Sequence, residues 1–315
     1  MTEGQIRQSK VDPSSRGGWW TVLNVLRQPT AAIGFGILAF FTVISLLSPW
    51  IKPYSTHLAS CAVFEPPSAS HWFGCDDGGI DVLSLTLEGG LISMYVGFTA
   101  ATITILIGAT IGIVSGYFGG WIDTVLMRIT DYFLVVPQLV LMIVVAAVWG
   151  PSLEHVILVI GLLLWTYTAR IVRAQVKSLR ERVFIRRAIS IGSGHLRIIW
   201  RHILPQIGPL LVASTVLAIT VAVFNETALA FLGLSDPTAI TWGTIMEHAF
   251  QRAAVSTGSW WAIVPAGLAV AILIMGCYML GRSIEDALNP RLRVSYLSPY
   301  SWQLRTLVGR GKGAL

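Results

Sequence analysis

Asp76, Asp77 and Asp81 crowd one polar stretch of the chain, and carboxylates that close could hold a divalent cation. The ligand spacing of a calcium loop and its terminal glutamate are absent. These acids therefore read as helix caps and turn residues, and no metal site is expected. Cys61 and Cys75 fall in the same stretch and are either a disulfide pair or two unrelated thiols. Cys277 lies in an apolar run and reads as a small packing residue. Gly309-Arg310-Gly311-Lys312-Gly313 lacks the full spacing of a phosphate loop and follows no strand, so it reads as a basic tail. Neither His-Glu-x-x-His nor Gly-x-Ser-x-Gly occurs. No catalytic residue and no means of using ATP are expected of this chain.

The other charges fall beside or between apolar runs. Asp123, Arg128 and Asp131 are spaced to pair along one helix, Asp123 with Arg128 or Arg128 with Asp131. Asn225 and Glu226 either face a passage or cap a broken helix end. No charged relay deep in a membrane is visible, which speaks against proton-coupled transport. The densest cluster runs from Arg170 to Pro205 and holds nine Lys and Arg residues. Within it Val176, Leu179, Val183, Phe184, Ala188 and Ile191 recur at three- and four-residue steps, as on an amphipathic helix. Gly192-Ser193-Gly194 then breaks that helix, a second short apolar and basic piece runs from His195 to Leu204, and Pro205 closes it. The segment reads either as a docking element for a partner or as a basic loop that sets topology.

The elements that must carry these residues are apolar. Of 315 residues, 54% are hydrophobic and only 12% charged, where a soluble protein carries roughly 25% charged residues. Lipid is the expected solvent, and the chain reads as an all-α membrane protein. Apolar runs at 31–48, 91–117, 124–149, 155–172, 207–232 and 260–281 supply six spans, each near or above the roughly 20 residues that cross the hydrocarbon. Gly108, Gly112 and Gly116 share one face of the second span, where small residues let helices approach closely. The net charge of +6 does not point to nucleic acid, because the basic residues sit between spans without exposed aromatics. Twenty of the 22 Lys and Arg fall on one side of a six-span topology, Lys52 and Arg252 being the exceptions. That side is expected to be cytoplasmic, with both termini and residues 173–205 inside. The expected organisation is an N-terminal segment 1–30 with an interfacial helix around Trp19 to Leu26, a transmembrane domain 31–288 with an external loop 50–90, and a tail 289–315.

Five segments, in order, carry a resemblance. Arg186-Arg187-Ala188-x-x-x-Gly192 followed by "RIIWRHILP" (Arg197–Pro205, with Arg201 and His202) is similar to the coupling-loop motif of ATP-binding-cassette importer permeases, whose members usually show Glu-Ala-Ala-x-x-x-Gly. Here Arg186 replaces the glutamate and Arg187 an alanine. "HWFGCDDGGIDVLS" (71–84) resembles a signature of the C-type subunit of dipeptide and oligopeptide permeases, with Cys75 at a usual threonine and Ile80 at a usual arginine. "GYFGGWIDTVLMRITD" (116–131), "FLGLS" (231–235) with "TWG" (241–243), and "DALNPRLR" (286–293) also fit. The relatives include nickel permeases. The resemblance implies a type I importer permease fold in a bacterial cell membrane, and a partner set of a second homologous permease, ATPase subunits and an external substrate-binding protein. ATP and magnesium would be bound by the ATPases, with no cofactor in this chain. Residues 173–205, including Ser193 and Gly194 at the corner, would carry the ATPase motion into the spans. The expected cargo is a dipeptide or oligopeptide; nickel or another small solute is the alternative, and a secondary transporter a more distant one.

Overall fold

The computed structural model describes Val25 and residues 27–288. The interfacial helix expected within residues 1–30 falls almost entirely outside them, and the tail from 289 onward falls wholly outside. The described chain is helical. Five helices are long and apolar enough to cross a membrane, and there are six if a bent pair counts as one span.

Helix α1 (Pro29–Ile51) starts with proline in its first turn, where the missing N–H costs nothing and the fixed φ suits the helix. It packs against the last helix so closely that a Cβ on Gly34 would lie 2.5 Å from the Gly276 carbonyl oxygen. A loop over residues 52–81 leads to α2 (Val82–Phe118). This helix begins well before the apolar run at 91 because Asp81 caps it, accepting from the Ser84 backbone N–H and hydroxyl at 2.8 Å. Its 37 residues extend about 55 Å at 1.5 Å per residue, well beyond the roughly 30 Å hydrocarbon thickness. α2 is therefore longer than the apolar layer is thick.

The third expected span is two helices. α3 (Gly120–Val135) and α4 (Gln138–Trp149) meet at an 84° bend. Pro137 explains it: the ring clashes with a helical residue before it, and Val136 is accordingly extended at φ −80°, ψ 132°. The span expected over 124–149 is thus built as a broken pair of helices.

α5 (Leu153–Arg180) lies along α2. The glycine face expected in α2 is what permits it. A Cβ on Gly108 would stand 2.7 Å from the Thr168 Cβ, one on Gly112 2.7 Å from the Ala169 carbonyl oxygen, and one on Gly116 2.8 Å from that of Arg173. Two short helices follow, α6 (Val183–Ser190) and α7 (His195–Ile198). One π turn over Ile199–Ile203 joins α7 to α8 (Leu204–Phe231). Pro205 therefore does not close the segment. It sits in the first turn of α8, and the π turn before it absorbs the hydrogen-bond pattern that proline interrupts. α9 (Trp242–Gln251) opens with a capping box between Thr241 and Thr244. It drives the fully buried Trp242 into the bundle, where its indole N–H donates to the Thr86 carbonyl at 2.9 Å. α10 (Val264–Leu288) completes the bundle against α1 and α8.

Candidate functional site

At the basic end of the bundle the sequence writes two faces into one short segment. Ile185 and Ala188, three residues apart on α6, are buried together with Val172, Val176 and Leu179 of α5, Ile198 and Ile203 around the π turn, Ile207 of α8 and Tyr117 of α2. Burying each such aliphatic side chain contributes about 1.5–3 kcal/mol, so α6 is seated on the ends of the spans. The apolar periodicity of 176–191 does not make one amphipathic helix. The chain breaks at Glu181–Arg182, and Val183, Phe184 and Ile191 turn outward instead of joining the buried stripe.

Outward, Ile191 is 82% exposed, Leu196 73% and Trp200 68%. Arg182, Arg186, Arg187, Arg197 and Arg201 are exposed around them. Exposed large apolar groups ringed by charge mark an interaction surface. Arg186 is paired within the chain to Glu181, and its guanidinium holds the Glu181 carboxyl below the usual carboxylate range. His202 is half-buried and its ring lies 6.4 Å from that of Phe184.

The corner between α6 and α7 is a Schellman cap. Ser193 N–H donates to the Ala188 carbonyl at 3.0 Å and Gly192 N–H to that of Ile189 at 2.9 Å. Gly192 has φ +80°, a conformation that glycine adopts without strain. Gly194 then caps α7 through its carbonyl, which accepts from Ile198 N–H at 3.1 Å.

Three contacts between elements, none expected from sequence, join helices at this end, and the first of them reaches this surface. Tyr117 Oη is 2.9 Å from His195 Nδ1, joining the end of α2 to the start of α7. Arg173 of α5 grips Asp123 of α3 with two nitrogens, Nε–Oδ1 2.5 Å and Nη2–Oδ2 2.6 Å. Arg170 bonds Asp131 at 2.5 Å. The expected pairing of Arg128 along α3 is therefore corrected. Arg128 stands five positions after Asp123, too far round the helix to face it, and α5 offers both acids a guanidinium across the packing interface.

The opposite end is capped by the 52–81 loop. Cys61 and Cys75 are joined as a disulfide. His71 Nδ1 meets the buried Asp81 carboxylate at 3.0 Å, Tyr54 lies over the His71 ring at 4.6 Å, and Trp261 donates to the Cys75 carbonyl at 3.2 Å. The Asp76 carboxylate accepts from Gly78 and Ile80 N–H at 2.9 and 2.8 Å, while burial pushes its carboxyl up. Asp76 and Asp81 thus make a turn and a helix cap. The two basic residues at this end each meet an acid, Lys52 with Glu88 at 2.8 Å and Arg252 with Asp77 at 3.8 Å.

Asn225 and Glu226 are buried within the chain. Glu226 caps no broken end, since α8 runs on to Phe231. Its Oε2 accepts from Ser93 of α2 at 3.3 Å and from Thr227 at 3.4 Å, and Ser93 in turn accepts the Trp242 N–H at 3.1 Å. The carboxylate thereby joins α8, α2 and α9.

Residues 108–294 match the family described as binding-protein-dependent transport system inner membrane component. The chain is similar to the dipeptide transport system permease protein of Alkalihalophilus pseudofirmus, 34% identical over 266 residues, which cover 84% of this chain and 86% of that protein. It is 33% identical over 265 residues to the dipeptide transport system permease protein of Bacillus subtilis, covering 84% and 82%. It is also 33% identical over 268 residues to the oligopeptide transport system permease protein of the same organism, covering 84% and 86%.

Proposed function

The chain belongs to the family of inner-membrane components of binding-protein-dependent transport systems, and from that premise we propose that it is one of two homologous permease subunits of an ATP-driven importer of dipeptides or oligopeptides. The observation that carries this reading is the two-faced segment 183–205, buried inward on the ends of α2, α5 and α8 and offering arginines and apolar side chains outward. The names of the relatives point to peptide as cargo.

The basic end is the cytoplasmic one, because Lys and Arg are retained on that side of a membrane. Both termini, within the segments 1–30 and 289–315, lie there, and the disulfide-bearing cap faces outward, where disulfides persist. A binding protein delivers peptide to the cap end, and the second permease completes the passage. ATP and magnesium are bound by separate ATPase subunits, one of which receives α6 and α7 in a groove. When ATP closes the ATPase pair, the groove moves the seated helices. Ile185, Ile198 and the Tyr117–His195 contact carry that displacement into α2, α5 and α8. Each nucleotide state of the ATPases thus favours one access state of the passage.

Purification from native membranes is expected to recover a second permease, ATPase subunits and an external binding protein, and the reconstituted complex to accumulate peptide only with ATP. Isolation as a homo-oligomer that moves solute without ATP would falsify the reading.

A further inference from the structure

A cavity of about 440 Å³ opens among the spans, within the size range of small-molecule sites. It runs from Thr104 and Gln138, midway along the bundle, to Arg282 and Glu285 at the basic end, with walls from α2, α4, α5, α8 and α10. The walls are mostly apolar. Into them are set neutral hydrogen-bonding groups: Gln138, Tyr167, Thr168, Ser214, Thr220 and Tyr278.

Polar side chains gathered at membrane depth are unfavourable against lipid. Their convergence on one concavity therefore marks a face that meets water or solute. The backbone agrees: the break at Val136–Pro137 places non-helical chain at membrane depth, which is tolerated where it is buried in protein or lines a wet cavity. Gln138, the first residue after the break, is held by bonds from its amide to the Leu163 carbonyl at 3.4 Å and to Thr166 Oγ1 at 3.3 Å.

The lining also selects by chemistry. Among the described residues no Cys or His lines the cavity, and the one carboxylate among them there, Glu285, is bound to Arg282 at 3.0 Å. That set offers a divalent transition metal none of its preferred nitrogen or sulfur ligands. Apolar walls, neutral donors and acceptors, and one guanidinium–carboxylate pair suit a short peptide with apolar side chains, amide groups and a charge of each sign at its ends. We propose that this cavity is the chain's own wall of the solute passage and that it selects short zwitterionic peptides. The inference rests on the permease reading above, and it locates the passage away from Asn225 and Glu226.

The test uses the full complex with its partner permease, ATPases and binding protein, in lipid nanodiscs. In a Cys277→Ala background with the Cys61–Cys75 bond oxidised, Tyr167→Cys, Ser214→Cys and Tyr278→Cys are exposed singly to a hydrophilic methanethiosulfonate. All three are expected to react, and an alanyl dipeptide, but not Ni²⁺, to slow the reaction. Filling part of the cavity with Ser214→Trp is expected to lower dipeptide uptake about tenfold or more, because the ring occupies space that the solute needs, while assembly and ATPase activity persist. Thr110→Trp, on an exposed face of α2 outside the cavity, leaves uptake unchanged. Unreactive cysteines, or cysteines that cross-link to the partner permease, would mean that protein fills the cavity and would overturn the assignment. Protection by Ni²⁺ instead of peptide would overturn the substrate class. Wild-type peptide uptake with unprotected cysteines sinks this inference and spares the permease reading; a wild-type complex that moves no peptide sinks both.

Discussion

Gly192 has open space around it, since a Cβ there would meet nothing within 4 Å. Its requirement lies wholly in the backbone, at φ +80°. An L-residue in the left-handed region costs roughly 1–2 kcal/mol, and asparagine bears it better than most. In Gly192→Val the corner between α6 and α7 is expected to shift while the spans stay packed. Reconstituted complexes should then hydrolyse ATP with little peptide uptake, and Gly192→Asn should recover much of the loss. Equal uptake in the valine variant and the wild type would show that the corner angle does not matter. A different residue-level rule governs Asp123 and Asp131. Each is answered by an arginine from another helix, so their partners depend on packing and not on spacing along α3.

Among the elements, α2 and α5 form the rigid spine. The close approach at Gly108, Gly112 and Gly116 leaves no room for a side chain, a Cβ on Gly112 falling 2.7 Å from both the Ala169 carbonyl oxygen and the Val172 Cβ. Forcing volume into such a seam costs about 1–3 kcal/mol or more. Gly112→Val is expected to lower the melting temperature of the purified subunit and its yield in the membrane. An exposed α2 change such as Thr110→Val should do neither. If both variants melt alike, the glycine seam is not what holds the spine. The broken pair α3–α4 has the opposite character, bent at Pro137 and facing the cavity through Gln138.

Across the whole molecule, α2 connects two specialised ends. Asp81, its cap, is bound to His71 inside the disulfide-closed loop, and Tyr117, near its other end, is bound to His195 at the start of α7. The disulfide closes 14 residues of chain, and a loop of that length loses unfolded-state entropy equivalent to about 3 kcal/mol. Cys61→Ser, or reduction of the wild type, should make proteolytic nicking within 62–74 faster and lower the melting temperature. The surface of α6 and α7, at the far end, should be protected from protease as before. Loss of protection at both ends together would show that the cap and the basic end unfold as one unit.

Composition and apolar run length were enough to establish a helical membrane bundle, because the hydrocarbon layer admits backbone only when its hydrogen bonds are made internally. The four-residue glycine spacing and the Gly192 corner were legible for a similar reason: each is a local geometric demand on one residue type. Pro137 was equally visible, and an uninterrupted span over 124–149 overlooked it. What the chain order could not convey was how side chains distant in sequence would face one another. Arg173 found Asp123 across 50 residues and Tyr117 found His195 across 78. Val183 and Ile191 turned outward although their spacing matched the buried stripe. Such partners depend on which helix faces are brought together, and in lipid those faces are chosen by close packing across the whole bundle and not by any local hydrophobic pattern.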